Sequence, residues 1–477
     1  FRHAIFREVL YERLRPSMRA ELHRKVGTAL EQERAAGRTV KASELAVHFE
    51  RGLAPMAALR YYAQAAEAAL LNLSPTECLS LTERALSLID RAPPDAERTT
   101  LEFSLATLRG EAAFHVLGVG QEARAAYQRA NSLLHQVPRH PMRGLLVQGF
   151  GLVLNLRAEY AEALATANSA DALAAETNDS SLALAAHTVQ SHVFMMRGRP
   201  REARKSLERS IPAIESTDGV AERSFDADPQ VMLLGLLSLQ LAHLGLIKQS
   251  RERLQQAYAR ARGLGQPVAL MVAIWLDTLI EVRVGDASRI AALADELRAL
   301  VEEADLAQGR TAWRWFGGLA MARSGKALVG YRQIRAAYED DKPTGRIAGD
   351  TENLGYAAEA LVLHGDWQAA QEPLEQALEM VRTYGERIYL PQLLLIEGAI
   401  AGARGDPAAA EAAIRRAVEE AREQGAAWLE LLALTALCEQ AGAAVKDRRA
   451  LATLVSKLPE ANETSAIARA RALLASV

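Results

Sequence analysis

A turn that returns every forty residues constrains this chain more than anything else in it. LGVGQEA at 117, RAEYAEA at 157, RGRPREA at 197, VGDASRI at 284, HGDWQAA at 364 and RGDPAAA at 404 repeat one pattern. One residue of each turn can serve as a marker: Leu73, Gly118, Ala158, Gly198, Gly245, Gly285, Gly325, Gly365 and Gly405. The steps between them are 45, 40, 40, 47, 40, 40, 40 and 40. A fixed period of this length marks stacked supersecondary units, none of which can bury its apolar face alone. At 477 residues the chain is too long for one compact core, so it is either several domains or one elongated array, and the period selects the array.

The columns of the repeat carry the packing rule. Five residues after the marker come Cys78, Ala123, Ala163, Ala203, Ser250, Ile290, Gly330, Ala370 and Ala410. Twelve after it come Ala85, Ala130, Ala170, Ser210, Ala257, Leu297, Ala337, Ala377 and Ala417. Seven residues is two helical turns, so both columns lie on one stripe, where small side chains let a second helix press on its neighbours. Between them recur the larger Tyr127, Leu207, Leu254, Ile334, Leu374 and Ile414. Seven residues before the marker the side chain is again mostly small: Ala66, Gly151, Ser191, Ser238, Thr278, Gly318, Ala358 and Gly398.

Small, small, bulky and small at these offsets resembles the tetratricopeptide repeat, over roughly residues 55 to 440. The period of 40 exceeds the ~34 residues usual for that repeat, which implies longer helices. The resemblance implies an all-α, tetratricopeptide-like right-handed superhelix of about ten helix pairs. A tenth pair after Gly442 carries Asp447 where a small residue belongs, as a degenerate capping unit would. The loops STDGVAERSFDADP (216–229), APPDAER (92–98) and DDKPTGRIAGD (340–350) read as surface connections.

Composition agrees. Ala, Leu, Glu and Arg abound while aromatics are only 5%, which favours helix over sheet. A formal charge of −3 gives no electrostatic case for a nucleic-acid or anionic-membrane partner. Cys78 and Cys438 stand far apart with neither metal spacing nor a disulfide framework, which suggests a reducing cytoplasm. The most apolar run, Val231 to Ile247, falls short of the ~20 residues a membrane span needs, and Gln240 and His243 interrupt it. It reads as a buried helix.

Residues 1–51 stand outside the repeat, and residues 52–477 form the array. FRHAIFREVLYERL, LHRKVGTALE (22–31) and ASELAVHFERG (42–52) resemble a stretch of the STAND family of signal-transduction ATPases, and regulators similar to maltose-regulator-like proteins. The matching residues are Phe1, Arg2, His3, Arg7, Glu8, Leu10, Tyr11, Arg19, Leu22, His23, Leu30, Glu31, Glu44, Leu45, Ala46 and His48. In that family the segment closes the winged-helix part of the ATPase module and leads into a helical repeat sensor. The resemblance implies an ATPase module in contact with residues 1–51, a protein or small-molecule inducer in the concave groove, and homo-oligomerisation on activation. The cysteine usage makes the expected location cytoplasmic. No GxxxxGK[ST] occurs, so no phosphate-cradling loop, cofactor or ATPase chemistry is expected in this chain.

No catalytic constellation is present either. The ten histidines are scattered, and His187 and His192, five apart, fit one helical face poorly. What remains is a surface. The tetratricopeptide resemblance implies that the first helix of each pair lines the concave side. Its inner positions are Trp275 and Trp315 ten residues before the marker, and Arg283 and Arg323 two before it. Glu359 and His192 stand six before it, and Glu352 and Gln392 thirteen before it. Two indoles and two guanidiniums would then form parallel ladders, offering flat apolar faces and forks for carboxylate or phosphate. The alternative is that the tryptophans pack between first helices and the arginines reach for solvent. The expected function is sensing through this groove, with a constitutive protein-binding scaffold as the alternative.

Overall fold

The computed structural model describes residues 11–212, 228–306, 309–440 and 444–475. The first ten residues, nearly all of the 216–229 loop and Gly442 lie outside them. Among the described residues every regular element is a helix. The chain forms two compact units, Phe1–Val153 and Leu154–Val477.

Unit 1 opens with α1 (Pro16–Ala35) and α2 (Ala42–Arg51), then the pairs α3 (Pro55–Leu71) with α4 (Pro75–Leu86) and α5 (Ala96–Leu117) with α6 (Gln121–Leu133). The boundary between the units falls within α7 (Arg143–Leu156), and α8 (Tyr160–Thr177) follows in unit 2. Unit 2 continues with α9 (Ser180–Met196) and α10 (Pro200–Glu208), α11 (Pro229–His243) and α12 (Ile247–Leu264), and α13 (Pro267–Val284) and α14 (Ala287–Glu303). Next come α15 (Ala312–Arg323) and α16 (Ala327–Asp341), α17 (Asp350–His364) and α18 (Trp367–Tyr384), and α19 (Leu390–Ala403) and α20 (Pro407–Gln424). The pair α21 (Ala427–Glu439) and α22 (Val445–Ser456) precedes a final helix, α23 (Ser465–Ala475). In chain order the described helices from α3 to α22 fall into ten successive pairs.

The marker turns owe their form to backbone sterics. Eight of the nine markers take positive φ, among them Gly365 at 89°, Gly405 at 77°, Leu73 at 55° and Ala158 at 58°. A left-handed residue closes a helix C-terminus at little expense when it is glycine, which explains the residue type. Gly285 is the exception at φ −91°. There Asp286 takes over the turn, its carboxylate accepting the Arg289 N–H at 2.9 Å to cap α14.

The columns then bury. Every alanine in the two small-residue columns is at most 1% exposed, and the bulky residues between them are at most 5%. At the α15–α16 crossing the fit has no slack: a Cβ on Gly330 would stand 2.2 Å from the Gly318 carbonyl oxygen. The equivalent crossing of α11 and α12 is polar, with the Ser238 hydroxyl donating to the Ser250 carbonyl at 2.7 Å. In the capping pair, buried Asp447 is balanced by the Arg415 guanidinium at 2.9 and 3.3 Å.

Within unit 2 the array closes on itself, helix ends meeting loops five pairs further on. The Leu156 carbonyl at the end of α7 accepts the N–H groups of Ile347 and Ala348, before α17, at 2.8 and 3.0 Å. The Met196 carbonyl at the end of α9 accepts those of Arg387 and Ile388, before α19, at 2.8 and 3.2 Å. Carbonyls left over at a helix terminus are thereby satisfied by another turn of the array.

Candidate functional site

First helices of successive pairs bring their polar residues together in unit 2. The Arg283 side chain, 2% exposed on α13, makes an ion pair with Glu352 of α17 at 2.9 Å and donates to its own Leu279 carbonyl at 2.8 Å. Glu352 also accepts the Tyr356 hydroxyl at 2.5 Å. Arg323 of α15 grips Glu359 of α17 with two bonds of 2.7 and 3.1 Å and donates to the Val282 carbonyl at 2.9 Å. Tyr356 and Tyr389 meet edge to face, 5.6 Å between centroids. From the far side the Trp428 indole of α21, fully buried, donates to the Arg283 carbonyl at 2.9 Å.

The seam joins several of the expected residues, but as a closed contact. Arg283 and Arg323 are not free forks, because each guanidinium is spent on a glutamate. Trp315 is 8% exposed within the hydrophobic core, with the Arg346 guanidinium 4.7 Å above its ring. Trp275 is half-buried against the same core and makes no ring contact with Trp315, so the indoles do not form a ladder. The reason is closure of the array: turns that meet leave no open wall for the inner helices to display. Gln392 is half-buried on α19, its Oε1 unpartnered. His192 lies two pairs earlier on α9 and hydrogen-bonds with none of the others; burial pulls its pKa down to about 4, so the ring is neutral.

Two seam residues escaped the reading of the sequence. Gln240 is fully buried on α11, and neither its amide nitrogen nor its oxygen has a partner. His243, one turn on and 2% exposed, has an unpartnered Nε2. Burial, with Arg283 close by, holds this imidazole well below its usual range. His243 occupies the column of Arg283 and Arg323, two residues before the marker, and that column was the signal. Arg283 Nε and Trp315 Nε1 are unpartnered as well. Buried polar atoms are nearly always hydrogen-bonded, so each of these stands out. Chemically, the seam offers donors and acceptors for a neutral polar group. Among the described residues no cluster of three or more His, Cys, Asp or Glu is set to hold a metal ion.

A second buried group sits where the turns meet. Glu386, in the loop before α19, is 1% exposed and has no cation partner. It accepts the Gly349 N–H at 3.1 Å, the Tyr160 hydroxyl at 3.2 Å and the Thr351 hydroxyl. Desolvation outweighs these three donors and raises its pKa to about 7.

No protein-family model matches the chain. An uncharacterized protein of Rhizobium meliloti (strain 1021) is 24% identical over 457 residues, covering 90% of this chain and 42% of that protein. The chain therefore spans about two fifths of the length of the curated relative it matches. Among solved structures, a Rap protein complexed with Competence and Sporulation Factor aligns with TM-score 0.56 at 10% identity, over 78% of this chain and 99% of that one. The human IFIT1 dimer with m7Gppp-AAAA aligns with TM-score 0.43 at 12% identity, over 87% and 90%. The Rap alignment shows the fold: an all-α tetratricopeptide-like array. No described helix is long and apolar enough to cross a membrane.

Proposed function

We propose that this chain is the ligand- or partner-sensing repeat region of a larger STAND-type signalling regulator, with the inner seam of unit 2 as its binding site. The observation that carries the reading is the set of unpartnered buried atoms on Gln240, His243 and Arg283. A ligand seated there would satisfy groups that the closed array leaves bare. Three further points support the reading. The Rap neighbour is itself a repeat protein found in complex with a factor. The relative is more than twice as long as the part matched here, leaving room for an ATPase module. Finally, α1 exposes Met18, Leu22 and Val26 at i, i+4 and i+8, an apolar stripe suited to such a module. The inducer would act by favouring an opened seam, with changes at residues 1–51 relayed to the ATPase and to homo-oligomerisation.

The test is a thermal-shift screen of metabolites and short peptides against this chain and against Gln240→Leu and His243→Leu. Hits that raise the melting temperature of the natural sequence alone support the site. Hits that act equally on all three place binding elsewhere. The longer gene product is expected to carry GxxxxGK[ST] before residue 1; its absence there refutes the ATPase context. A constitutive scaffold is the alternative, favoured by the filled, ion-paired seam, and it predicts partner binding that no small ligand alters.

A further inference from the structure

The α1–α2 hairpin places two imidazoles face to face. His23 Nδ1 lies 3.1 Å from His48 Nδ1, with ring centroids 5.1 Å apart and planes tilted by 51°. On its other side, His23 Nε2 lies 2.9 Å from the Tyr11 hydroxyl. The helices are held at this spacing by packing rather than by the histidines: Ala20 and Gly27 of α1 are buried, and a Cβ on Gly27 would stand 3.2 Å from the Phe49 ring. Two like nitrogens at this distance have two resolutions. One can carry a proton and donate it to the other, or both can turn their lone pairs to a shared cation.

We infer that His23 and His48 form a two-histidine chelate for an imidazole-preferring divalent ion such as Zn2+ or Cu2+. The bite fits: an ion about 2.0–2.1 Å from each nitrogen would subtend about 100° across the observed gap, between square and tetrahedral geometry. Ligation through Nδ1 leaves the proton on Nε2, and for His23 that proton already has an acceptor in the Tyr11 hydroxyl. Such an outer partner fixes both tautomer and ring direction. Arg51 of α2 acts on His23 as a positive charge, which opposes a dication and keeps the affinity below that of a closed four-ligand site. Among the described residues no third His, Cys, Asp or Glu completes the shell, so water fills the remaining positions. Bound metal would pin α1 to α2 and stiffen the segment that carries the exposed Met18, Leu22 and Val26 stripe.

The experiment uses the whole chain stripped with chelator, titrated with Zn2+ by calorimetry and by melting, with Mg2+ as control. One Zn2+ per chain, lost in both His23→Gln and His48→Gln and weakened tenfold or more by acidification below the histidine range, is the expected result. Tyr11→Phe should weaken binding several-fold without abolishing it. Chelated melting curves of the two glutamine variants matching the natural chain show that they fold. Zn2+ binding that survives in the double variant overturns the proposal, as does absence of any Zn2+ effect on the natural chain at millimolar metal. An equal response to Mg2+ would mark non-specific surface binding and overturn it as well.

Discussion

Glu386 gives the sharpest prediction, because its sign runs against the usual behaviour of carboxylates. A salt-bridged carboxylate lends stability as pH rises. Glu386 is buried without a cation, and its folded pKa is raised from 4.5 to about 7. The folded chain then holds this proton up to about pH 7, whereas the unfolded chain releases it near pH 4.5. Stability from the protonated group is fully present below about pH 4.5, falls through the window between the two values, and is gone above it. A shift of 2.5 units at 1.36 kcal/mol each corresponds to about 3 kcal/mol between pH 4.5 and pH 7. Asp350, also raised, to about 6, adds a slope of the same sign. Glu386→Gln keeps the shape without titrating: its amide oxygen can accept from Gly349 and one hydroxyl, while its NH2 donates to the oxygen of the other hydroxyl, Tyr160 or Thr351. Urea melts followed by circular dichroism at pH 5, 6, 7 and 8 should give a falling stability for the natural chain and a flatter one for the variant. The variant should be the more stable of the two at pH 8 and match the natural chain within about 1 kcal/mol at pH 5. Hydrogen exchange at Gly349, whose N–H donates to the carboxylate, should quicken with pH beyond intrinsic chemistry only in the natural chain. Parallel slopes for the two proteins would refute the reasoning.

Arg283→Met alone strands Glu352 beside a buried Tyr356 and should cost about 3 kcal/mol in a denaturant melt, whereas Arg283→Met with Glu352→Met should recover most of that loss. Gly330→Ala drives a Cβ into the Gly318 carbonyl and should lower stability by about 2 kcal/mol, measured by the same melt; little change would mean that α15 and α16 can slide apart. Leu73→Gly relieves a left-handed leucine that is 85% exposed and should raise stability by about 1 kcal/mol.

The fold was legible because a repeat writes its packing into columns. Small residues at Ala123 and Ala130, with Tyr127 between them, can be read without knowing where the neighbouring helix lies, since every unit meets the same neighbour in the same way. The seam is a different kind of information. Arg323 and Glu359 sit on adjacent pairs, and their columns suggested as much. Arg283 and Glu352 are two pairs apart, Trp428 reaches Arg283 across 145 residues, and Tyr160 reaches Glu386 across 226. Those contacts depend on how small rotations between pairs accumulate, and no local pattern encodes that sum. Reading the inner positions as an open wall was thus a statement about local facing, whereas their exposure is decided by closure of the array.

Closure also restricts how the seam can work. The Arg283–Glu352 and Arg323–Glu359 pairs are charge-neutral as they stand, so a charged ligand could enter only by displacing one partner and leaving the other desolvated. The bare groups, by contrast, are an amide, an imidazole nitrogen and one guanidinium N–H, and none of them needs a counter-charge. A neutral ligand with both donors and acceptors would therefore gain at the bare groups while leaving both ion pairs intact. On the proposed reading, its gain would be realised only in a state with α11 and α13 moved apart. On that reading the closed state would deny the ligand its contacts, and an opened state would grant them. That difference in affinity between the two states is the quantity a switch requires, and its size sets how far the equilibrium can be pulled.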